Sequence, residues 1–206
     1  MPFNIKEFIT HSGKYGEFAK SDKFEVRIPL PGSFLSAGSK RPDTGFGTRE
    51  LTFQCEATEL PGRNITMIEY RHHAFTERVP HITNYTDINL TFYCNNKFLE
   101  KKFFDAWLDT IIPTNTGYVQ YYRDDSNRNN YTSDIDIIQY DLFGSPIYKC
   151  TLIEAIPTNI TPLSLNWSDD TIHRLSVAFA FKKWKTQDIT DNLPTQEPVR
   201  NRTKAN

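Results

Sequence analysis

One segment of this chain has the apolar period of a helix, and the segments around it alternate like β-strands. This combination restricts the chain to a small group of folds. Within residues 97–112, apolar side chains recur every three or four positions, which is the period of one helix face: Leu99, Phe103, Phe104, Trp107, Leu108 and Ile111. The opposite face is predicted to be polar, with Glu100, Lys101, Lys102, Asp105 and Asp109. Asn95 or Asn96 can cap the start of this helix, and Pro113 ends it.

Most of the remaining pattern is typical of strands. Apolar and polar residues alternate or apolar residues cluster between turn signals in residues 24–28, 51–57, 65–70, 87–93, 133–140, 147–155 and 174–183. The alternation is clearest in 51–57. The fold class predicted is therefore mainly β, an antiparallel β-barrel or sandwich with one long amphipathic helix. A Rossmann-like sheet would need helices alternating with its strands, and that order is absent.

The domain boundaries follow from composition. Residues 23–184 are predicted to form one β-barrel domain, preceded by an N-terminal segment, 1–22, and followed by a flexible C-terminal arm, 185–206. Residues 33–49 are rich in Gly and Ser and are predicted to be a long extended loop. Such a loop is either a connector or a segment that becomes ordered on binding a partner.

Charge and hydropathy exclude several classes of protein. The formal net charge is -1 and the pI is about 6.5, whereas a protein that grips nucleic acid usually carries a basic excess. No apolar run approaches the roughly 18 residues of a membrane span. The first 20 residues are too polar for a secretory signal, so we expect the chain to fold in a reducing cytoplasm.

Candidate chemical groups are present, but their spacing does not favour a reaction centre. Adjacent His72 and His73 point to opposite faces of a strand, and neither they nor His81 has a Cys or carboxylate at ligand spacing. Asp134 and Asp136 share a strand face without a nucleophile and base beside them. We therefore expect no metal, no cofactor and no enzyme activity.

The positions of cysteine and tryptophan give weaker indications of which side chains are buried and which meet a neighbour. Cys55, Cys94 and Cys150 are an odd set without CxxC spacing, and we expect buried free thiols in strands. Trp107 falls in the helical stripe and is predicted to be a core residue. Trp184 ends the last predicted strand, where it either caps the barrel or meets a neighbouring subunit.

The order and spacing of these segments resemble the tail tube proteins of contractile-tailed phages, a family related in fold to the type VI secretion tube protein. The resemblance covers residues 24–184. It is carried by 24–28, by 51–55 leading into 60–62, by 87–92 and the helix, and by 133–137, 148–157, 163–170 and 177–184.

The resemblance implies that copies close into hexameric rings and that rings stack into a tube. Its implied location is the virion tail, after synthesis in the bacterial host cytoplasm. Double-stranded DNA would pass through the lumen without tight binding, and the partners would be the tail sheath, the tape measure protein, the baseplate tube initiator and the tail terminator.

The resemblance also suggests interface residues. In the family the loop after the first strand reaches an adjacent ring, so we assign Arg41, Pro42, Asp43 and Phe46 of the 33–49 loop to an inter-ring contact. Because Ala178 and Ala180 are small and let a neighbour approach, we assign them, with Trp184, to a subunit interface.

Three alternatives remain open at this point. The chain could be a baseplate tube initiator of the same fold, or a tube from a type VI secretion or related injection device. From another class, it could be a β-sandwich binding module that recognises a peptide or sugar without assembling. Oligomeric state separates the last of these from the others.

Overall fold

An antiparallel sheet with one long helix packed against it forms the body of the molecule. The computed structural model describes residues 19–35, 47–72, 75–119, 131–168 and 170–187. Within these ranges the strands are β1 (Phe24–Arg27), β2 (Cys55–Thr58), β3 (Asn64–His72), β4 (Phe75–Asn84), β5 (Ile88–Tyr93), β6 (Ser133–Tyr140), β7 (Pro146–Ile160), β8 (Arg174–Ala180) and β9 (Lys183–Gln187). The α-helices are α1 (Thr48–Gln54) and α2 (Leu99–Ile111), and a 3-10 turn spans Gly32–Leu35.

Sheet order shows how the body closes. Within the described residues the main sheet has the order β1-β6-β7-β8-β5-β2, with β9 also paired to β7, and every pairing is antiparallel. The edge strands β1 and β2 contact each other, and α1 lies against β1 and β5. The sheet therefore curls until its two edges meet, which confirms the predicted fold class.

β7 is the strand that joins the two halves of this sheet. One edge of β7 pairs with β6. The other edge pairs with β9 and then with β8 in one continuous register, so that Ile153 is opposite Lys183 and Ile156 is opposite Ala180. Glu154 has a left-handed φ of 53° where the β6 pairing is irregular. An extra residue at such a bulge increases the local twist, which helps one strand serve both halves.

The core is built around α2, as its stripe predicts. Phe103, Phe104 and Trp107 are buried, and the Trp107 ring lies 5.9 Å from that of Phe179 on β8. The Trp107 indole Nε1 donates a hydrogen bond of 2.6 Å to the Tyr131 carbonyl oxygen. On β5 the alternating residues Ile88, Leu90 and Phe92 are also buried.

The start of α2 differs from the prediction in two ways: its N-cap is Phe98, in a left-handed backbone conformation, and not Asn95 or Asn96, and Glu100 is buried. The Asn95 side-chain oxygen accepts hydrogen bonds from the backbone amides of Lys97 and Leu99, at 3.0 and 3.1 Å. Glu100 was expected on the exposed face, but it is fully buried. Its Oε2 accepts a hydrogen bond from the Asn95 amide at 3.0 Å, so this carboxylate closes the helix start instead of facing solvent.

The prediction of a strand at 51–57 is wrong over its first half. Residues 48–54 form α1, and only Cys55–Thr58 are extended. The Gly47 amide donates to the Glu50 carboxylate at 2.9 Å, the pattern of a helix start. Leu51 points into the core while Phe53 is 74% exposed, which an inward strand face would not allow.

The loop predicted at 33–49 is also shorter than expected. Its beginning forms the 3-10 turn, in which Phe34 is buried with its ring 5.5 Å from Phe103. Its end forms the first turn of α1. Residues 36–46 lie outside the described residues.

Strand β9 continues past Trp184, where the β-barrel domain was predicted to end. Lys185, Thr186 and Gln187 were assigned to the flexible arm, but they belong to β9 and pair with Thr151, Cys150 and Lys149. Residues 188–206 lie outside the described residues. Among the helices of the described residues, none is long and apolar enough to cross a membrane.

Candidate assembly surfaces

A β-hairpin formed by β3 and β4 stands apart from the body. The two strands pair over their whole length, from Asn64 opposite Asn84 to His72 opposite Phe75. In the described part of the chain they form a separate two-stranded sheet and make no substantial contact with any other helix or strand. The sequence predicted only 65–70 of this hairpin, and β4 was missed.

The register assigns the side chains of this hairpin to two faces. One face carries Ile68, Tyr70, Val79 and Ile82, and the other carries Ile65, Met67 and an ion pair between Glu69 and Arg78 at 3.8 Å. Five large apolar side chains of the hairpin are exposed: Ile65, Met67, Tyr70, Phe75 and Ile82. Phe75 is 80% exposed. A two-stranded ribbon with apolar groups on both faces is marginal in water unless another surface covers it.

The base of the hairpin is fixed to the body by residues of β9 and of the link between β8 and β9. The Trp184 indole Nε1 donates to the Gly62 carbonyl oxygen at 3.3 Å, and the Tyr85 and Phe181 rings lie 5.8 Å apart. Pro61, just before the hairpin, is buried. Trp184 therefore packs against the core and orients the hairpin base.

Ala178 and Ala180 lie on a different surface from Trp184. They are partly exposed on the outer face of β8, where Ala178 is opposite Asn89 on one side and Asn159 on the other. The structure thus places the two alanines together and Trp184 apart from them.

The residues assigned to the inter-ring loop, Arg41, Pro42, Asp43 and Phe46, lie outside the described residues. Both ends of the segment that contains them are attached to the body. Phe34 is buried on one side of it, and α1 begins at Thr48 on the other. The assignment of an inter-ring contact to this segment stays a prediction.

A match to a protein-family model shows the family to which this chain belongs. The family model described as phage tail tube protein matches residues 19–187. The chain belongs to this family. No curated protein matches the tail tube chain.

Solved structures share the fold of this tail tube chain. A chain in the cryo-EM structure of the anti-feeding prophage (AFP) baseplate, 6-fold symmetrised, has a TM-score of 0.56 at 12% identity and covers 84% of this chain and 98% of its own. A chain of the PVC sheath/tube terminator of an extracellular contractile injection system has a TM-score of 0.56 at 16% identity, with the same coverage. A chain of the PVC sheath–tube complex in the extended state has a TM-score of 0.57 at 16% identity and covers 91% of this chain and 99% of its own.

The acidic residues considered for catalysis have structural contacts in the tail tube chain. Asp134 accepts a hydrogen bond from the Glu154 amide at 2.9 Å, at the bulge of β7. Asp136 accepts one from the Thr151 hydroxyl at 2.6 Å and pairs with the Lys149 ammonium at 3.0 Å. These carboxylates therefore hold β6 and β7 together.

The residues considered for metal binding do not assemble in the described part of the tail tube chain. His81 is exposed on β4, while His73 lies outside the described residues. Within the described ranges no group of three His, Cys, Asp or Glu residues is arranged to hold a metal ion.

The three cysteines of the tail tube chain are free. Burial raises the pKa of the Cys150 thiol to about 11 and that of Cys55 to about 12. Burial also raises the pKa of Cys94, which follows β5 and does not belong to a strand as predicted. Because a protonated thiol is a poor nucleophile, these residues act as small apolar side chains.

Proposed function

We propose that this tail tube protein is a structural subunit that assembles with copies of itself into hexameric rings, which stack into the tube of a phage tail. Double-stranded DNA passes through the lumen into the host without tight binding. The subunit works as a structural component and not as an enzyme. Its place is the virion tail, after synthesis in the bacterial host cytoplasm.

The observation that carries this proposal is the β3–β4 hairpin. It presents apolar side chains on both faces, yet no other part of the described chain covers them. Fully burying one such side chain contributes about 1.5–3 kcal/mol. Several of them buried against a neighbouring copy would provide a large part of the binding free energy of a ring.

The unpaired strand edges of the hairpin also favour a second copy of this chain as the partner. Within the described residues, the outer edges of β3 and β4 lack a strand partner. Exposed edges of this kind pair readily with another strand, and a closed ring of copies satisfies every edge at once. Sheet continuation between subunits and aromatic contacts would therefore stabilise the ring together.

The remaining partners follow from the family. Chains with this fold occur in a baseplate, in a sheath/tube terminator and in a sheath–tube complex. We infer that this subunit contacts the tail sheath outside the tube, a baseplate tube initiator at one end and a tail terminator at the other. The tape measure protein would occupy the lumen before DNA passes.

Charge is consistent with a DNA channel that does not bind its cargo. A lumen that holds DNA tightly would resist its passage, and strong phosphate binding needs many Lys and Arg side chains. The whole chain has a formal net charge of only -1. A baseplate tube initiator of the same fold is the second candidate, favoured by the chain of similar fold in the AFP baseplate.

The test removes the hairpin while leaving the body intact. Because Asn64 and Asn84 are paired, residues 65–83 can be replaced by Asn-Gly, which closes a two-residue hairpin turn. We expect the unchanged chain to form rings and tubes in negative-stain electron microscopy. The shortened chain is expected to sediment as a monomer with unchanged circular dichroism of its body.

Point substitutions provide a matched control on the same hairpin. Phe75→Ser should weaken ring formation, whereas Phe75→Leu, which keeps an apolar side chain, should largely preserve it. If the unchanged chain stays monomeric at high concentration, self-assembly is wrong, and the initiator or a binding module becomes the better interpretation. If the shortened chain still forms rings, the hairpin is not the assembly element.

A further inference from the structure

Three apolar side chains are exposed at the end of the body where β6 turns into β7. Leu142 and Phe143 belong to the connecting turn, and Ile147 follows it at the start of β7. Phe143 is 93% exposed, Leu142 43% and Ile147 46%. We call these three residues the end patch. Clusters of large exposed apolar groups mark contact sites, so the end patch indicates a contact that the described residues do not make among themselves.

The backbone of the turn holds Phe143 in its exposed position. The Asp141 Oδ1 accepts hydrogen bonds from the Phe143 and Ser145 amides, both at 2.8 Å. The Asp141 amide donates to the Ser145 carbonyl oxygen at 2.9 Å, and Gly144 has a left-handed φ of 81°. Because these bonds fix the turn, little conformational freedom is lost when another group covers the ring.

The N-terminal segment enters the body beside this turn. The Gln139 Nε2 donates to the Lys20 carbonyl oxygen at 3.1 Å. Phe143 is four residues after Gln139, so the two Cα atoms lie within about 15 Å of each other. Residues 1–18 come directly before this point in the sequence. Since an extended chain spans roughly 3.3–3.6 Å per residue, a few of them are enough to reach the end patch.

The C-terminal segment also leaves the body near the end patch. β9 runs antiparallel to β7 and ends with Gln187 opposite Lys149, two residues from Ile147. Residues 188–206 follow and contain no aromatic residue. The segment 1–18 contains four aromatic residues, namely Phe3, Phe8, Tyr15 and Phe18. Both segments lie within reach, but the N-terminal one carries far more apolar surface with which to cover the end patch.

The pattern of residues 1–18 also suits this contact. Ile5, Phe8 and Ile9 recur at three- and four-residue spacing, which would place them on one face of a helix. An amphipathic segment of this kind buries its apolar face against an apolar surface. Because the segment is tethered beside the end patch, its effective concentration there is roughly millimolar, well above that of free copies in a dilute solution.

We propose that residues 1–18 bind the end patch of their own subunit, with Phe8 and its neighbours Ile5 and Ile9 packed on Phe143. The subunit thus carries its own cover for the apolar surface between β6 and β7. A subunit covered in this way does not associate with other proteins through the end patch. The contact does not depend on ring formation, because both of its surfaces belong to one chain.

Photo-crosslinking in the full chain tests this contact directly. Phe143 is replaced by p-benzoylphenylalanine, and a dilute mixture of isotopically heavy and light chains is irradiated. We expect mass spectrometry to find crosslinks from position 143 to residues 1–18 within one chain, either heavy or light. The same amino acid at Trp167, an exposed aromatic that follows the opposite end of β7, is the control and should not crosslink to this segment. Crosslinks to residues 188–206, crosslinks between heavy and light chains, or none to either segment would overturn the proposal.

Limited trypsin digestion measures the same contact without a modified amino acid. Binding should protect the site after Lys14, so we expect Phe143→Ser to accelerate cleavage there by roughly threefold or more. Trp167→Ser is the matched control and should leave this rate unchanged. Cleavage after Arg200 is the internal standard. Equal cleavage after Lys14 in the unchanged chain and in Phe143→Ser would overturn the contact, whereas a chain that forms no rings would overturn the proposed function alone.

Discussion

Trp107 contacts three other rings of the aromatic core. Its ring is stacked on Phe104 at 6.4 Å, meets Phe103 edge-on at 5.9 Å and contacts Phe179 on β8. Its indole nitrogen also fixes the Tyr131 carbonyl, at the point where the chain enters β6. One side chain therefore connects α2 with both halves of the sheet.

We predict that Trp107→Ala destabilises the monomer by about 3–5 kcal/mol, because it removes a large buried ring and leaves a cavity. Urea unfolding followed by circular dichroism measures the change in free energy. Phe53→Ala is the control, since Phe53 is mostly exposed, and we expect a change within about 0.5 kcal/mol. Equal effects of the two substitutions would contradict the role given to Trp107.

The alternation of apolar and polar residues predicted side-chain burial well where one face of a strand meets the core. Ile88, Leu90 and Phe92 alternate in β5 and are all buried, and Leu175, Val177 and Phe179 do the same in β8. Glu100 was misplaced because charge alone suggests solvent, whereas here the carboxylate accepts a backbone amide at the start of α2. An acidic residue in the first turn of the helix, shortly after Asn95, was the available signal of such a contact.

The strand prediction failed where the period of a strand and the period of a helix fit the same residues. In Leu51-Thr52-Phe53-Gln54-Cys55 the apolar residues alternate, but Leu51 and Cys55 are also one helical turn apart. A helix of 7 residues is too short for its period to be recognised. Glu50, three residues after Gly47, was the feature that favoured a helix.

β4 was missed for a different reason. Alternation appears in a strand because one face is buried, and in the isolated chain neither face of the hairpin meets the core. Pro80 further lowers the apparent strand propensity of this segment. Because neither face packs on the core of its own chain, sequence periodicity cannot reveal this strand.

The bulge in β7 leads to a prediction about its backbone. Glu154 adopts a φ of 53°, which costs a non-glycine residue roughly 1 kcal/mol or more. Its carboxylate pairs with the Lys182 ammonium at 3.1 Å, a largely exposed contact of small value. We expect Glu154→Gly to change stability by no more than about 1 kcal/mol, because relief of strain offsets the lost pair.

The comparison variant for this bulge is Glu154→Val, which loses the same ion pair but keeps a β-branched side chain at positive φ. It should be clearly less stable than Glu154→Gly in thermal unfolding. Lys182→Ala, which removes the ion pair alone, measures that contribution separately. If the Val and Gly variants are equally stable, backbone conformation at this position is unimportant.

For the whole molecule, the proposed assembly predicts where the monomer is least protected. Amides of β3 and β4 have no core behind them, so their hydrogen exchange should be fast in a dilute monomer. In rings, the same amides should exchange at least about tenfold more slowly, because neighbouring copies cover the hairpin. Peptides from α2 and β8 should be protected in both states, which makes them the internal standard.

Mass-spectrometric hydrogen exchange at two protein concentrations tests this prediction. Protection that appears at high concentration only in β3 and β4 would support the hairpin as the ring contact. Hairpin amides that are already slow in the monomer would contradict it. The fold class was predictable from the order of strands and one helix, but this difference in stability between regions was not, since it depends on how little of the hairpin packs on the body.

The pairing of β1 with β6 has a consequence for the order in which the protein matures. Tyr140 donates a hydrogen bond to Glu25, 115 residues earlier in the chain, and β1 pairs within the described residues only with β6. Until the ribosome has translated β6, β1 has no template strand. Loop closure over such a separation is slow, so the barrel gains its native topology only after β6 is made, and the hairpin, made earlier, must remain soluble until then.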